Sequence, residues 1–145
     1  MSRGPEGRFQ DTLLDTFRSQ GCVCQKFNDL FSEGIPDVHV KFPFPMPHGV
    51  QTPWIELKAI KEWPKRTTTK LPPKSKPTTA QMRWMSSFAT DSAPCWVVLN
   101  TPDGWLAMDH SVVEKAWSLP TSVVKLLLVK EKPTVGRVMR SIREN

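Results

Sequence analysis

The sequence predicts a mixed α/β fold in which a central sheet is flanked by helices and the elements follow the order αβββαβ. Apolar residues recur at helical spacing near the N-terminus, and three short segments then alternate apolar and polar residues. A second helical segment is followed by the continuous apolar strand Cys95–Leu99. Because a strand, a helix and a strand in succession usually give parallel strands, the sheet should be mixed. The 145 residues are typical of one domain, residues 1–145.

The first helix is predicted from Pro5 to Gln20. Its apolar positions lie on one face, and Gly21 is a suitable end: Phe9, Leu13, Leu14 and Phe17. Three strands should follow in meander order, with a turn at residues 28–34 and a proline-rich connection between the second and third: Cys22–Phe27, Asp37–Phe42 and Pro53–Ile60.

The later elements complete the sheet and extend beyond it. Thr78–Ala89 reads as a helix with Thr78 or Thr79 as its N-cap. Asp103 and Gly104 predict a turn between Cys95–Leu99 and a strand at residues 105–108. Three more segments are predicted: a short helix at 112–117, a strand or helix at 123–129, and a basic helix at 136–143.

Charged residues on two of these strands predict a metal site. Asp37 begins the second strand after Gly34-Ile35-Pro36, and the third reads Trp54-Ile55-Glu56-Leu57-Lys58. Residues two apart in a strand share a face, so Glu56 and Lys58 point the same way and Asp37 can meet them across the sheet. Two converging carboxylates repel unless a cation lies between them, and oxygen ligands suit Mg²⁺ or Mn²⁺. An ammonium beside them can hold a water and offset charge on a phosphoryl group. The alternative is a turn followed by the solvated face of an ordinary edge strand.

These residues resemble the PD-(D/E)XK nuclease superfamily, most closely the small stand-alone VRR-NUC and phage Holliday-junction-resolvase-like proteins. The matching residues are Gly34, Pro36, Asp37, Glu56, Leu57, Lys58, Gln81 and Trp84. The resemblance spans about residues 6–99 and implies a restriction-endonuclease-like core. It further implies that Asp37, Glu56 and the Leu57 backbone carbonyl bind the metal and that Lys58 orients the attacking water.

The resemblance also implies an acidic residue on the first helix and a glutamine on the helix after the third strand. These would be Glu6 and Gln81. Glu6 is equally well explained as a first-turn acid that interacts favourably with the helix dipole. Everything after Asp109 lies outside the resemblance.

A basic loop at about residues 61–78 follows the third strand. The chain has 20 Lys and Arg against 14 Asp and Glu, a net charge of +6 that favours a polyanionic partner such as DNA. Seven basic residues cluster in and just after this loop and are predicted to contact phosphates: Lys61, Lys65, Arg66, Lys70, Lys74, Lys76 and Arg83. Its prolines forbid a regular helix, which predicts an extended, mobile loop, and Trp63 could stack on a base. The alternative is a solvated linker.

Composition excludes several other classes. The three cysteines form no C-x-x-C pair, which disfavours a disulfide framework and a zinc knuckle. No secretory signal or membrane span is recognised, so we expect no membrane partner and a reducing, cytoplasmic location, in a host cell if the protein is phage-encoded.

Together these observations predict a Mg²⁺- or Mn²⁺-dependent DNA endonuclease. By analogy with the family, its substrate would be branched DNA such as a four-way junction, cut by a homodimer. Two alternatives stay open: a sequence-specific or restriction-type endonuclease that cuts linear duplex, and a catalytically silent DNA-binding module of the same fold.

Overall fold

The computed structural model describes residues 4–27 and 34–145, with only the backbone of Pro5 and Glu6. Its five strands form one sheet in the order β1-β2-β3-β4-β5. The elements in chain order are α1 (Pro5–Ser19), β1 (Val23–Lys26), β2 (Val38–Lys41), β3 (Trp54–Ala59), α2 (Thr79–Phe88), β4 (Cys95–Thr101), β5 (Gly104–Asp109), α3 (Val113–Ala116), α4 (Thr121–Leu126) and α5 (Val135–Glu144). The ambiguous segment at 123–129 is therefore mostly helical, and the turn predicted at 28–34 lies largely outside the described residues.

The sheet is mixed, as the sequence predicts. β1, β2 and β3 are antiparallel neighbours, β4 is parallel to β3, and β5 returns antiparallel to β4. The crossover from β3 to β4 contains α2, whose N-cap Thr78 accepts a hydrogen bond from the Gln81 N–H. The Gln81 Oε1 in turn accepts from the Thr78 N–H at 2.8 Å, a capping box that fixes where the helix begins.

Two apolar layers cover the two faces of the sheet. On one face α1 and α5 pack against odd-numbered residues of β3, namely Ile55 and Leu57. On the other face α2, α3 and α4 pack against residues such as Val97 and Leu99 of β4. Because alternate residues of a strand face opposite sides, Trp54, Glu56 and Lys58 belong to this second face.

Candidate active site and basic surface

Asp37 and Glu56 meet on adjacent strands, as their spacing predicts. Val38 pairs with Ile55 in the antiparallel ladder, so Asp37 lies opposite Glu56 one step further along. The Asp37 Oδ2 accepts a hydrogen bond from the Leu57 N–H at 2.8 Å. This bond replaces a ladder bond at the point where β2 and β3 cease to pair, and it fixes the Asp37 carboxylate beside β3.

The Leu57 backbone carbonyl also points toward β2 and Asp37. The N–H groups of Trp54 and Ile60 donate to β4-side carbonyls at 2.8 and 3.0 Å, so the even-numbered residues of β3 turn their backbone groups toward β4. Backbone groups alternate sides along a strand, and those of Leu57 therefore point toward β2. The backbone thus brings a carbonyl oxygen to the side of β3 where Asp37 lies.

Glu56 is a buried carboxyl that is only partly satisfied. Its side chain is 2% exposed, and its Oε2 forms an ion pair with the Lys58 Nζ at 3.2 Å. Its Oε1 is buried without a hydrogen-bond partner in the described part of the chain. While the carboxyl is ionised this orphaned oxygen is costly, because a buried acceptor loses its hydration without compensation. A proton on Glu56 can instead be shared with the Asp37 side chain, which lies within hydrogen-bond reach.

The burial of this pair raises both pKa values. Desolvation, then the nearby Asp37 carboxylate, raises the pKa of Glu56 to about 8, although Lys58 opposes the shift. Desolvation also raises the pKa of Asp37, while the hydrogen bond from Leu57 opposes it. At neutral pH the metal-free site therefore tends to keep a proton on Glu56.

The turn that delivers Asp37 is held closely against α2. Gly34 has φ +94°, and a Cβ on it would lie 2.5 Å from the Ala80 backbone carbonyl oxygen. Only glycine combines this conformation with such a close approach. The G-x-P-D motif thus has a steric reason as well as a chemical one.

Two other predicted catalytic residues, Gln81 and Glu6, have no contact with Asp37 or Glu56 among the side chains that the structure describes. The Gln81 Oε1 is engaged in the α2 capping box. Glu6 lies in α1, on the opposite face of the sheet from Glu56, and its side chain is outside the described residues. Within the described ranges, no group of three or more His, Cys, Asp or Glu is placed to hold a metal ion. The catalytic roles of Gln81 and Glu6 stay predictions.

An aromatic cluster that was not predicted from the sequence adjoins the carboxylates. The Trp54 ring stacks on His39 at 3.9 Å between centroids and contacts Phe27 at 5.2 Å and Trp84 at 5.0 Å. His39 also hydrogen-bonds the Thr52 carbonyl, and burial lowers its pKa. His39 is thus explained by its packing on Trp54 and its hydrogen bond to Thr52. The alternation of residues along β3 places Trp54 on the same face as Glu56, and this pattern could have indicated the cluster from the sequence.

The basic loop is extended and largely exposed, but it is fastened to the rest of the protein. Six of the seven predicted DNA-contacting residues are exposed: Lys61, Lys65, Arg66, Lys70, Lys74 and Arg83. The seventh, Lys76, is half-buried and forms an ion pair with Glu114. The loop was expected to be mobile, but its middle is attached to another element: residues 67–70 hydrogen-bond to the start of α4. Trp63 donates to Asp103 at 2.6 Å and is covered by Lys125, which argues against base stacking there.

Comparison with known proteins bears on the fold. No family model matches the chain, and neither does any curated protein. Among solved structures it is similar to Hjc, a Holliday junction resolvase from the archaeal hyperthermophile Archaeoglobus fulgidus. The two chains are 18% identical with a TM-score of 0.51, and the match covers 81% of this chain and 98% of Hjc. The likeness confirms the restriction-endonuclease-like fold. None of the helices within residues 4–27 and 34–145 combines the length and the hydropathy of a membrane-spanning segment.

Proposed function

We propose that this protein is a Mg²⁺- or Mn²⁺-dependent endonuclease of the PD-(D/E)XK superfamily that hydrolyses phosphodiester bonds in branched DNA. The observation that carries the proposal is the convergence of Asp37, Glu56 and Lys58 on one face of the sheet. The fold shared with the archaeal Holliday junction resolvase supports the choice of substrate. A homodimer would supply the two cuts that resolve a four-way junction.

The donor set fits a hard divalent cation. Asp37 and Glu56 offer carboxylate oxygens, and the Leu57 backbone carbonyl points to the side of β3 where Asp37 lies. The orphaned Glu56 Oε1 is a further reason, because a cation would satisfy the one buried oxygen that lacks a partner among the described side chains. When bound, Mg²⁺ or Mn²⁺ would make a water nucleophilic near neutral pH and offset charge on the phosphoryl oxygens.

The protein's own residues orient the carboxylate ligand and place a positive charge beside it. The Leu57 N–H holds the Asp37 carboxylate in one orientation, so little ordering is needed on binding. Lys58 is 16% exposed and its Nζ lies 3.2 Å from Glu56, which places an ammonium at the edge of the carboxylate pair. From that position it can hold a water by hydrogen bonding and stabilise the negative charge of the pentacoordinate phosphorus.

The proposal is tested by incubating the protein with a four-way junction, a linear duplex and a plasmid, each with Mg²⁺, Mn²⁺ or EDTA. Metal-dependent scission of the junction is expected, and Lys58→Ala should slow it by about 100-fold or more. The matched control is Lys41→Ala, which removes an exposed lysine at the other end of β2 and should leave the rate unchanged.

Other outcomes separate the alternatives. Cuts at fixed sites in linear duplex, with no preference for the junction, would indicate a restriction-type enzyme. Metal-independent retardation of DNA with no scission, unchanged by Lys58→Ala, would indicate a silent DNA-binding module. Sedimentation of the free protein and of its junction complex tests the homodimer.

A further inference from the structure

The start of α4 is hydrogen-bonded along the basic loop. The Thr121 and Ser122 N–H groups donate to the Thr69 and Thr67 carbonyls at 2.9 and 3.0 Å. The Thr121 hydroxyl donates to the Thr67 carbonyl at 3.1 Å. Lys70 forms an isolated antiparallel bridge with Pro120. The C-terminal part of the chain, which had no function in the sequence analysis, therefore holds the middle of the loop.

Buried side chains fasten the second half of the loop. Leu71 is 3% exposed and belongs to the apolar cluster of Trp117 and Val124. The buried Trp117 Nε1 donates to the Ser75 Oγ at 2.9 Å, and this hydroxyl donates to the Pro72 carbonyl at 2.6 Å. Losing such a buried bond leaves an indole N–H unsatisfied. The loop thus has a defined conformation.

The fastened loop gathers lysines around Trp63. A groove of about 460 Å³ there is lined by Lys65 and Lys70, together with Glu62, Thr69 and three prolines. From α4, the Lys125 Nζ lies 4.9 Å from the centre of the Trp63 ring. Among the described residues two acids adjoin this surface, since Glu62 lines the groove and Asp103 accepts a hydrogen bond from the Trp63 indole, so three lysines stand against two acids. The surface is therefore net positive, and two separate parts of the chain contribute to it.

We propose that this surface, the Trp63 groove with Lys65, Lys70 and Lys125, is a preordered binding site for the sugar–phosphate backbone of a duplex DNA arm. The inference rests on the proposed function, because the loop leaves β3, the strand that carries Glu56 and Lys58. Ammonium groups neutralise phosphates irrespective of sequence. Single-stranded DNA fits less well, because Lys125 covers the Trp63 ring on which a base would stack.

Preordering has a consequence for affinity. A flexible cationic loop would lose conformational freedom when it bound DNA, and that loss would weaken binding. A loop already fixed by Thr121 and Trp117 avoids this loss. Weakening the attachment should therefore weaken DNA binding even when no charge is removed.

The first test removes one charge. Lys125→Gln is compared with Lys130→Gln, an exposed lysine that instead lines a groove with Arg8 and Trp105. Binding of a labelled duplex is measured in EDTA over a series of KCl concentrations. Lys125→Gln should weaken binding by about three- to tenfold at low salt and reduce the slope of log K against log salt by roughly 0.9. Equal behaviour of the two variants would overturn the assigned surface.

The second test loosens the attachment without changing charge. Thr121→Val removes the hydroxyl that donates to the loop, and Ser118→Ala removes an exposed hydroxyl between α3 and α4 as the control. Thr121→Val should speed amide hydrogen exchange in residues 61–77 and weaken duplex binding several-fold, with circular dichroism unchanged. Faster exchange with unaltered affinity would overturn preordering. Unaltered exchange in the double variant Thr121→Val/Trp117→Phe, which lacks both side-chain bonds to the loop, would overturn the role of these side chains in the attachment.

The outcomes of these tests distinguish a failure of the binding surface from a failure of the proposed function. Because binding is measured in EDTA, absence of nuclease activity with a Lys125-dependent affinity would reject the enzyme and keep the surface. Lys58-dependent cleavage with no effect of Lys125→Gln would do the reverse. Single-stranded DNA bound as tightly as duplex would overturn the choice of a duplex arm.

Discussion

Replacing Glu56 by glutamine should change how the stability of the metal-free protein depends on pH. Burial and Asp37 raise the pKa of Glu56 from 4.5 to about 8, so the folded state favours the neutral carboxyl. A raised pKa contributes stability that is fully present below pH 4.5 and is lost as pH rises toward about 8. The free energy of unfolding should then fall by up to about 1.4 kcal/mol per pH unit across that window, on the order of a few kcal/mol in all.

The assay is urea denaturation in EDTA at several pH values between 5 and 8. Glu56→Gln should flatten the decline and be the more stable protein at pH 8, because its neutral amide can still accept from Lys58. His39 works in the opposite direction, since burial lowers its pKa and favours the neutral ring in the folded state, but both proteins retain it. Glu62→Gln, which removes an exposed carboxylate, is the control and should keep the wild-type slope. If Glu56→Gln also keeps that slope, the folded protein does not hold Glu56 neutral. The explanation given for its raised pKa is then refuted.

Three further predictions follow from the same geometry. Mg²⁺ at millimolar concentration should raise the melting temperature of the wild type at pH 8 and have little effect on Asp37→Asn, and an equal rise in both by differential scanning fluorimetry would place the ion elsewhere. Gly34→Ala should cost clearly more stability in urea than Gly49→Ala, since both glycines have positive φ but only the Cβ at position 34 meets the α2 backbone; equal costs would contradict the steric argument. Gln81→Ala and Thr78→Ala should each destabilise by about 1 kcal/mol with strongly non-additive effects, because the two residues cap α2 reciprocally, whereas a large loss of junction cleavage in Gln81→Ala alone would indicate a catalytic role instead.

The strands and the carboxylate pair could be predicted because they depend on local pattern. Alternation along β3 places Ile55 and Leu57 on one face and therefore Glu56 and Lys58 on the other. The proline-rich connection from β2 contains no crossover α-helix or strand, so β3 returns as an antiparallel neighbour and Asp37 comes to the same place. No long-range information was needed for these steps.

The attachment of the basic loop could not be predicted, because it depends on residues far away along the chain. The loop composition, rich in proline and lysine, is typical of a mobile segment. Its order comes from residues near the end of α3 and in α4, namely Trp117, Thr121 and Lys125, and only the last of these lies in the segment 123–129, whose pattern fitted either a strand or a helix. A short amphipathic segment gives no indication of which surface it will cover.

The raised pKa of Glu56 could be predicted from the sequence only in part, since it depends on a local pattern and on tertiary burial together. Strand alternation determines that Glu56 faces away from Leu57, and that direction alone would be compatible with an exposed, ordinary carboxylate. The cover supplied on the α2 face removes its water, and Lys58 satisfies only one of its two oxygens. One ammonium cannot balance the buried Glu56 carboxylate and the half-buried Asp37 carboxylate together, so the site must either retain a proton or bind a cation. The balance between these two states is what links folding stability, pH and metal binding in this protein.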